Sequence, residues 1–174
     1  KLIVATEGDA TEVTKSVAGI YNNFADQLTH LVTEEEKFNY IINIVSNTFR
    51  HHQVEISEFT EGMKMAASMS RTAGLRIETV SAILGVANDN MIKAGRAGRA
   101  LTNILSRIAR SPVEFAETFG IEVPVGETLK LMDIMDILNK RMARGETTVA
   151  GLNAAFERMG LRGAPFFQVM VKNW

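Results

Sequence analysis

The sequence predicts an all-α protein, and three observations carry that prediction. Apolar residues recur every three or four positions along nearly the whole chain. Helix starts and stops punctuate that pattern, as capping residues, Pro at first positions and Gly-apolar pairs at ends. No run alternates polar and apolar residues between turn signals in the manner of a strand. About seven to eight helices in a compact bundle follow, with the longer ones at the N-terminal end.

Taken in order, Val13, Val17, Ile20, Phe24, Leu28 and Leu31 mark a first helix from Thr11 to Val32. Thr33 with Glu36 forms a Thr-x-x-Glu capping box for a second, and Glu34, Glu35 and Glu36 suit the positive end of its dipole. Phe38, Ile41, Ile42, Val45 and Phe49 form its stripe, and His51-His52-Gln53 reads as a solvated junction. Ser57 is the expected cap of a third helix through Phe59, Met63, Ala66, Ala67 and Ser70, stopped by Gly74-Leu75. Val80, Ile83, Leu84 and Ala87 mark a fourth, ended by Asn88-Asp89-Asn90. A fifth starts near Gly95 or Gly98 and carries Leu101, Ile104, Leu105 and Ile108.

Ser111-Pro112-Val113-Glu114 is the clearest helix start in the chain, with a Ser cap and Pro at the first helical position. Its helix is short, bears Phe115 and Phe119, and stops at Gly120-Ile121. Residues 122–127 read as a loop. Leu131, Ile134, Met135, Leu138 and Met142 mark the next helix, to Gly145. Leu152, Ala155, Phe156 and Met159 mark another, to Gly160-Leu161, and Pro165 opens a last apolar stretch. The nine Met fit core filling at helical spacing.

The 174 residues suffice for one domain or two small ones. Residues 1–62 hold 4 basic and 10 acidic residues, net −6, and residues 63–174 hold 15 and 10, net +5. Glycine is sparse before Gly62, and eleven of the 13 glycines lie at 62–174. An acidic region of longer helices over 1–56 and a short-helix region over 57–174 are therefore expected, possible parts of one continuous domain. A net charge of −1 excludes a wholly basic nucleic-acid coat. The absence of Cys excludes a disulfide framework, a Cys-ligated zinc and a thiol nucleophile. No apolar run nears the ~20 residues needed to span a bilayer, and KLIVATEGD is too short an apolar core for a signal peptide. The first residue is Lys, not Met, so a piece of a longer chain is expected.

The strongest charge feature is Lys93, Arg96, Arg99, Arg107 and Arg110, an acid-free basic window and a candidate interaction surface. The preceding ETVSAILGVANDN loosely resembles a helix-turn-helix, which makes a DNA-binding module the alternative function. Adjacent His51 and His52 point about 100° apart on a helix and suit one metal ion poorly. His30 sits where the end of the first helix favours a cation. GRAGRA at 95–100 lacks the Gly-Lys-Ser/Thr ending of a phosphate loop. No carboxylate pair or nucleophile elbow marks an enzyme, and no cofactor or metal is implied.

SRTAGLRIETVSAILGVANDNMIKAGRAGRALTNILSRI at 70–108 resembles the core of the phage tail tape measure protein family. The resemblance rests on Gly74-Leu75, on the link Asn90 to Lys93 with Ile92, and on Ala97-Gly98-Arg99-Ala100-Leu101. SPVEFAETFGI, ending at Gly120-Ile121, and FERMGLRGAPFFQVM, with Gly160 and Gly163, are similar to later family segments. Met91 and Ala94 stand where the family often has Gly, which implies a stiffer link, and Arg76 stands where it often has a Ser or Thr cap. The resemblance covers roughly Val13 to Trp174. It implies a virion structural protein in the tail lumen or tip, assembled in the host cytoplasm, that sets tail length and leaves ahead of the DNA. Implied partners are the tail tube protein, distal tail or baseplate hub proteins, tail assembly chaperones, further copies as trimer or hexamer, the phage DNA end, and the host membrane on ejection.

Overall fold

A computed structural model describes residues 10–124, 127 and 130–174, with side chains from Val13 onward. The stretch KLIVATEGD and, within the 122–127 loop, Val125 and Gly126 lie outside the described residues. The described residues contain no strand.

Nine α-helices are present among them, more than the seven to eight expected: α1 Ala10–Phe24, α2 Glu34–His51, α3 Ile56–Thr72, α4 Ile77–Asp89, α5 Ala94–Arg110, α6 Pro112–Thr118, α7 Leu131–Ala143, α8 Val149–Arg158 and α9 Ala164–Lys172. The nine are the segments marked along the sequence, among them the brief α6, with Pro112 at its first position, and α9, with Pro165 in its first turn. Helix length falls off after Arg110: α3 and α5 have 17 residues each, as against 15 in α1 and 18 in α2.

The first helix ends eight residues before Val32. A 3₁₀ turn over Ala25–Gln27 tightens the chain at Phe24, and Leu28 N–H bonds back to the Ala25 carbonyl. The apolar spacing through Leu28 and Leu31 continued past this point, but the hydrogen-bond ladder did not. Leu28 still reaches the core, whereas Val32 is 89 % exposed.

The capping box at Thr33 forms as read. Glu36 N–H donates to Thr33 Oγ1 at 3.1 Å, and Thr33 N–H donates to Glu36 Oε2 at 2.9 Å. Ser57 does not cap α3, because Glu55 occupies the N-cap and Ser57 lies inside the first turn. Ser111 holds the N-cap of α6, yet its hydroxyl makes no capping bond.

The Gly stops share one geometry. Gly74, Gly120, Gly145 and Gly160 have φ of +71°, +64°, +74° and +64°. Each places its own N–H and the following N–H on carbonyls of the last helical turn, for example Gly74 on Arg71 and Leu75 on Ser70. At the end of α4 the same wrap is made by Met91 at φ +62°, with Ile92 N–H on the Ala87 carbonyl at 2.9 Å.

Packing divides the chain inside α5: one compact unit ends at Arg99 and the other is Ala100–Trp174. The breaks in charge and glycine content fall earlier, near residue 62. In the first unit α1 packs on α3, and α4 on both α2 and α3. Phe24, Ile41, Phe59, Met63 and Leu84 are fully buried there. In the second unit α9 packs on α7 and α8. Its core is a cluster of rings, with Phe119 and Phe167 stacked at 5.4 Å and Phe156 4.8 Å from Phe167. Of the nine Met, Met63, Met135 and Met170 fill cores, while Met91 is 95 % exposed.

Candidate interaction surface

The basic window begins where α5 lies on α3. Small residues allow this: a Cβ on Gly98 would stand 2.3 Å from the Gly62 carbonyl oxygen, and a Cβ on Gly62 would stand 2.6 Å from that of Ala94. Ala94 and Ala97 are fully buried beside them. One face at the start of α5 is thus turned to α3, while Lys93, Arg96 and Arg99 lie on its exposed side.

This approach sets Glu58 and Glu61 of α3 against the N-terminal turn of α5. Glu58 Oε1 accepts from Lys93 Nζ at 2.8 Å, and Glu61 Oε1 accepts from Arg99 Nη2 at 3.1 Å. The Glu61 carboxylate rests on Gly95, where a Cβ would lie 2.8–3.1 Å from its atoms. A carboxylate at a helix N-terminus is favoured by the dipole and by unpaired amides. The hydrogen bond from Lys93 holds the Glu58 carboxyl below its usual range, and the Gly95 amide adds to this. The same bond raises Lys93. Two of the five basic candidates therefore serve the packing of the first unit. Arg96 is exposed and has no ion pair within 4 Å among the described residues.

In the second unit Arg107 Nη2 donates to Glu114 Oε1 at 2.6 Å. Arg107 Nε is buried with no hydrogen-bond partner. Asn103, Ser106, Arg107 and Arg110, spaced along one face of α5, line a groove of about 450 Å³. Its other wall is the turn Met159-Gly160-Leu161-Arg162. No acidic side chain lines it. Arg162 was missed by the reading of the basic window because it lies fifty residues further along the chain.

Of the motif residues, Leu75, Ala97 and Leu101 are buried, and Ile92 is half-buried. Gly163 has φ +117° and approaches Ala100, where a Cβ would stand 3.1 Å from the Ala100 Cβ.

His51 is exposed, as the solvated-junction reading has it, but His52 departs from that reading. The His52 ring lies over Gly85, a Cβ on which would stand 2.3 Å from His52 Cδ2, and its Nδ1 is 2.6 Å from Asp89 Oδ2. His30 lies beyond the end of the first helix and packs edge-on against Tyr40, with 5.6 Å between ring centres. Tyr40 donates to Glu78, which also accepts from Arg76 Nη2 at 2.6 Å. Arg76 is the N-cap of α4 without capping it. Arg141 holds the end of α6, donating to the carbonyls of Phe119 at 2.9 Å and Gly120 at 3.0 Å. No group of three His, Asp or Glu among the described residues could hold a metal ion.

The family described as phage-related minor tail protein matches residues 1–159. The chain is 29 % identical over 94 residues to the tape measure protein of Pneumococcus phage Dp-1. Those residues are 54 % of this chain and 8 % of that protein, so the chain spans a small part of its relative. No solved structure matches. No helix among the described residues is long and apolar enough to cross a membrane.

Proposed function

The chain belongs to the phage-related minor tail protein family, a structural component of phage tails, and from that membership we propose that it is a folded block of a tape measure protein. The whole protein would occupy the tail tube lumen, set tail length during assembly and leave ahead of the DNA. The observation that carries the folded-block reading is the interruption of the helices. A ruler works best as unbroken helix, at about 1.5 Å per residue. Among the described residues the longest helix has 18 residues, and four left-handed glycines at helix ends turn the chain.

The block would then act at one end of the tail or on its assembly complex. Candidate contacts are the tail tube protein, the hub, the assembly chaperones, other copies, the DNA end and the host membrane. Among the basic candidates, Arg96 and Arg110 are the exposed ones without an ion pair among the described residues. Reversing Arg96 to Glu should impair assembly or ejection while leaving the fold intact. Normal tails and normal infection from that variant would remove the surface reading.

The folded-block reading is tested by in-frame deletion of residues 1–174, both units together, from the full-length protein. A block gives failed assembly or defective tails of unchanged length. A rod gives tails shortened in proportion to the residues removed. Imaging these residues as one continuous helix in the tail would likewise overturn the proposal.

A further inference from the structure

The groove of the second unit has a chemistry that the first unit can answer in another molecule. Arg107, Arg110 and Arg162 converge on it with Asn103 and Ser106, and no acid lines it. Guanidinium groups present planar forks that suit carboxylates and phosphates. Arg107 is held by Glu114 through Nη2 and its Nε is buried, so the exposed Arg110 and Arg162 are the forks open to an incoming acid. Leu161 adds an apolar patch to the same groove.

A nucleic-acid backbone is disfavoured as occupant by the charge of the chain. Polyanion binders carry a strong basic excess, and here residues 100–174 hold 9 basic and 8 acidic residues, net +1. A short acidic segment with an apolar neighbour fits better. The chain carries one: Val32 is 89 % exposed, the Glu34 side chain is 73 % exposed, and Glu35 is exposed. Glu34 pairs with Lys37 Nζ at 2.8 Å in its own helix, an exposed contact of small worth, and Glu36 is engaged in its capping box.

We propose that the Arg107–Arg110–Arg162 groove docks the Val32–Glu35 knuckle of a second copy of this chain. Val32 would meet Leu161, and Glu34 and Glu35 would meet the guanidinium groups. The two surfaces differ, so the contact is head-to-tail and builds a ring or a filament rather than closing as a two-fold dimer. This goes beyond the tail reading and can fail while that reading stands.

The test uses the purified chain in sedimentation velocity at low salt. Wild type should associate in a concentration-dependent way, and added salt should weaken this. Arg110→Glu with Arg162→Glu removes the groove, and Glu34→Lys with Glu35→Lys removes the knuckle. Each double variant alone should be monomeric with unchanged helicity. Mixed, they should associate again, because the intact knuckle meets the intact groove and the reversed groove meets the reversed knuckle. Gln at the same four positions restores no reversed pair, so the mixed Gln variants should form a 1:1 complex that grows no further. A monomeric wild type, a mixture that stays monomeric, or variants that associate as wild type would overturn the proposal. So would wild-type association unaffected by the groove variant alongside loss of its binding to duplex DNA, which would assign the groove to nucleic acid.

Discussion

Gly62 and Gly98 bring the backbones of α3 and α5 into direct contact, with room for no side chain between them. The obstruction to a Cβ at Gly98 is the Gly62 carbonyl, at 2.3 Å, and backbone cannot swing aside. Gly98→Ala should therefore destabilise by about 1–3 kcal/mol or more, as overpacked cores do. Gly19 is helical, exposed and has nothing within 4 Å of its added Cβ. Gly19→Ala should stabilise by about 0.5–1 kcal/mol through helix propensity. Urea denaturation of both variants checks the contrast. Equal effects at the two sites would mean that the close crossing is absent.

Met91 makes a left-handed turn that Gly makes at the ends of α3, α6, α7 and α8. Its side chain is 95 % exposed, so no packing is lost when it is removed. Met91→Gly should stabilise by about 0.5–1 kcal/mol, the relief of a left-handed Cβ net of added chain entropy. Met91→Ala should change little, since the Cβ remains. Thermal melts of the two variants separate backbone strain from side-chain effects.

The Glu58–Lys93 pair predicts a pH window of stability. Glu58 is lowered from its ordinary 4.5 by the bond from Lys93. Its contribution is full above that value and is lost as pH falls through the lower folded value. Lys93 is raised from its ordinary 10.5 by the same bond. Its contribution is full below that value and is lost as pH rises through the higher folded value. Glu58→Gln should flatten the acid side of the stability profile, and Lys93→Met the alkaline side. Denaturant midpoints measured across pH decide this. Profiles parallel to wild type would show that the pair is not formed.

Of the three hydroxyls read as caps, Thr33, Ser57 and Ser111, one caps its helix with its side chain, as the unread Thr148 does for α8. Thr33→Ala should cost about 1 kcal/mol, the usual price of a lost N-cap. Ser57→Ala and Ser111→Ala should each cost a few tenths at most, because neither caps a helix end with its side chain. A loss at Ser111 equal to that at Thr33 would contradict the observed cap geometry.

Helical periodicity and the Gly-apolar stops made the fold class and most helix ends legible, because both are local. Gly74, Gly120, Gly145 and Gly160 all sit where the chain must turn left-handed. The end of α1 escaped the same reasoning, since apolar spacing ran on through Leu28 after the helix had closed. The basic window was visible as charge, but its use was not. Glu58 and Glu61 lie about thirty-five residues from Lys93 and Arg99, and no local rule pairs them across the Gly62–Gly98 crossing. Arg162 joins Arg107 and Arg110 only because tertiary packing sets the end of α8 beside α5. His52 looked solvated because nothing nearby in sequence covers it, whereas Gly85 is a floor from another helix.

That floor gives a coupled prediction. A Cβ at Gly85 would stand 2.3 Å from His52 Cδ2 and 2.6 Å from Cγ, so Gly85→Ala must displace the ring. Displacement would also break the 2.6 Å contact of Nδ1 with Asp89. His52→Ala loses that contact but empties the space above Gly85. The double variant should therefore be less destabilised than the sum of the singles, by about 0.5–2 kcal/mol, since contacting sites are not additive. Asn88 anchors the same junction by donating to the Gln53 carbonyl at 2.6 Å, so the chain path at 52–53 should persist without the ring. A double-mutant cycle in urea measures the coupling. Strict additivity would mean that the ring does not lie on Gly85 in solution.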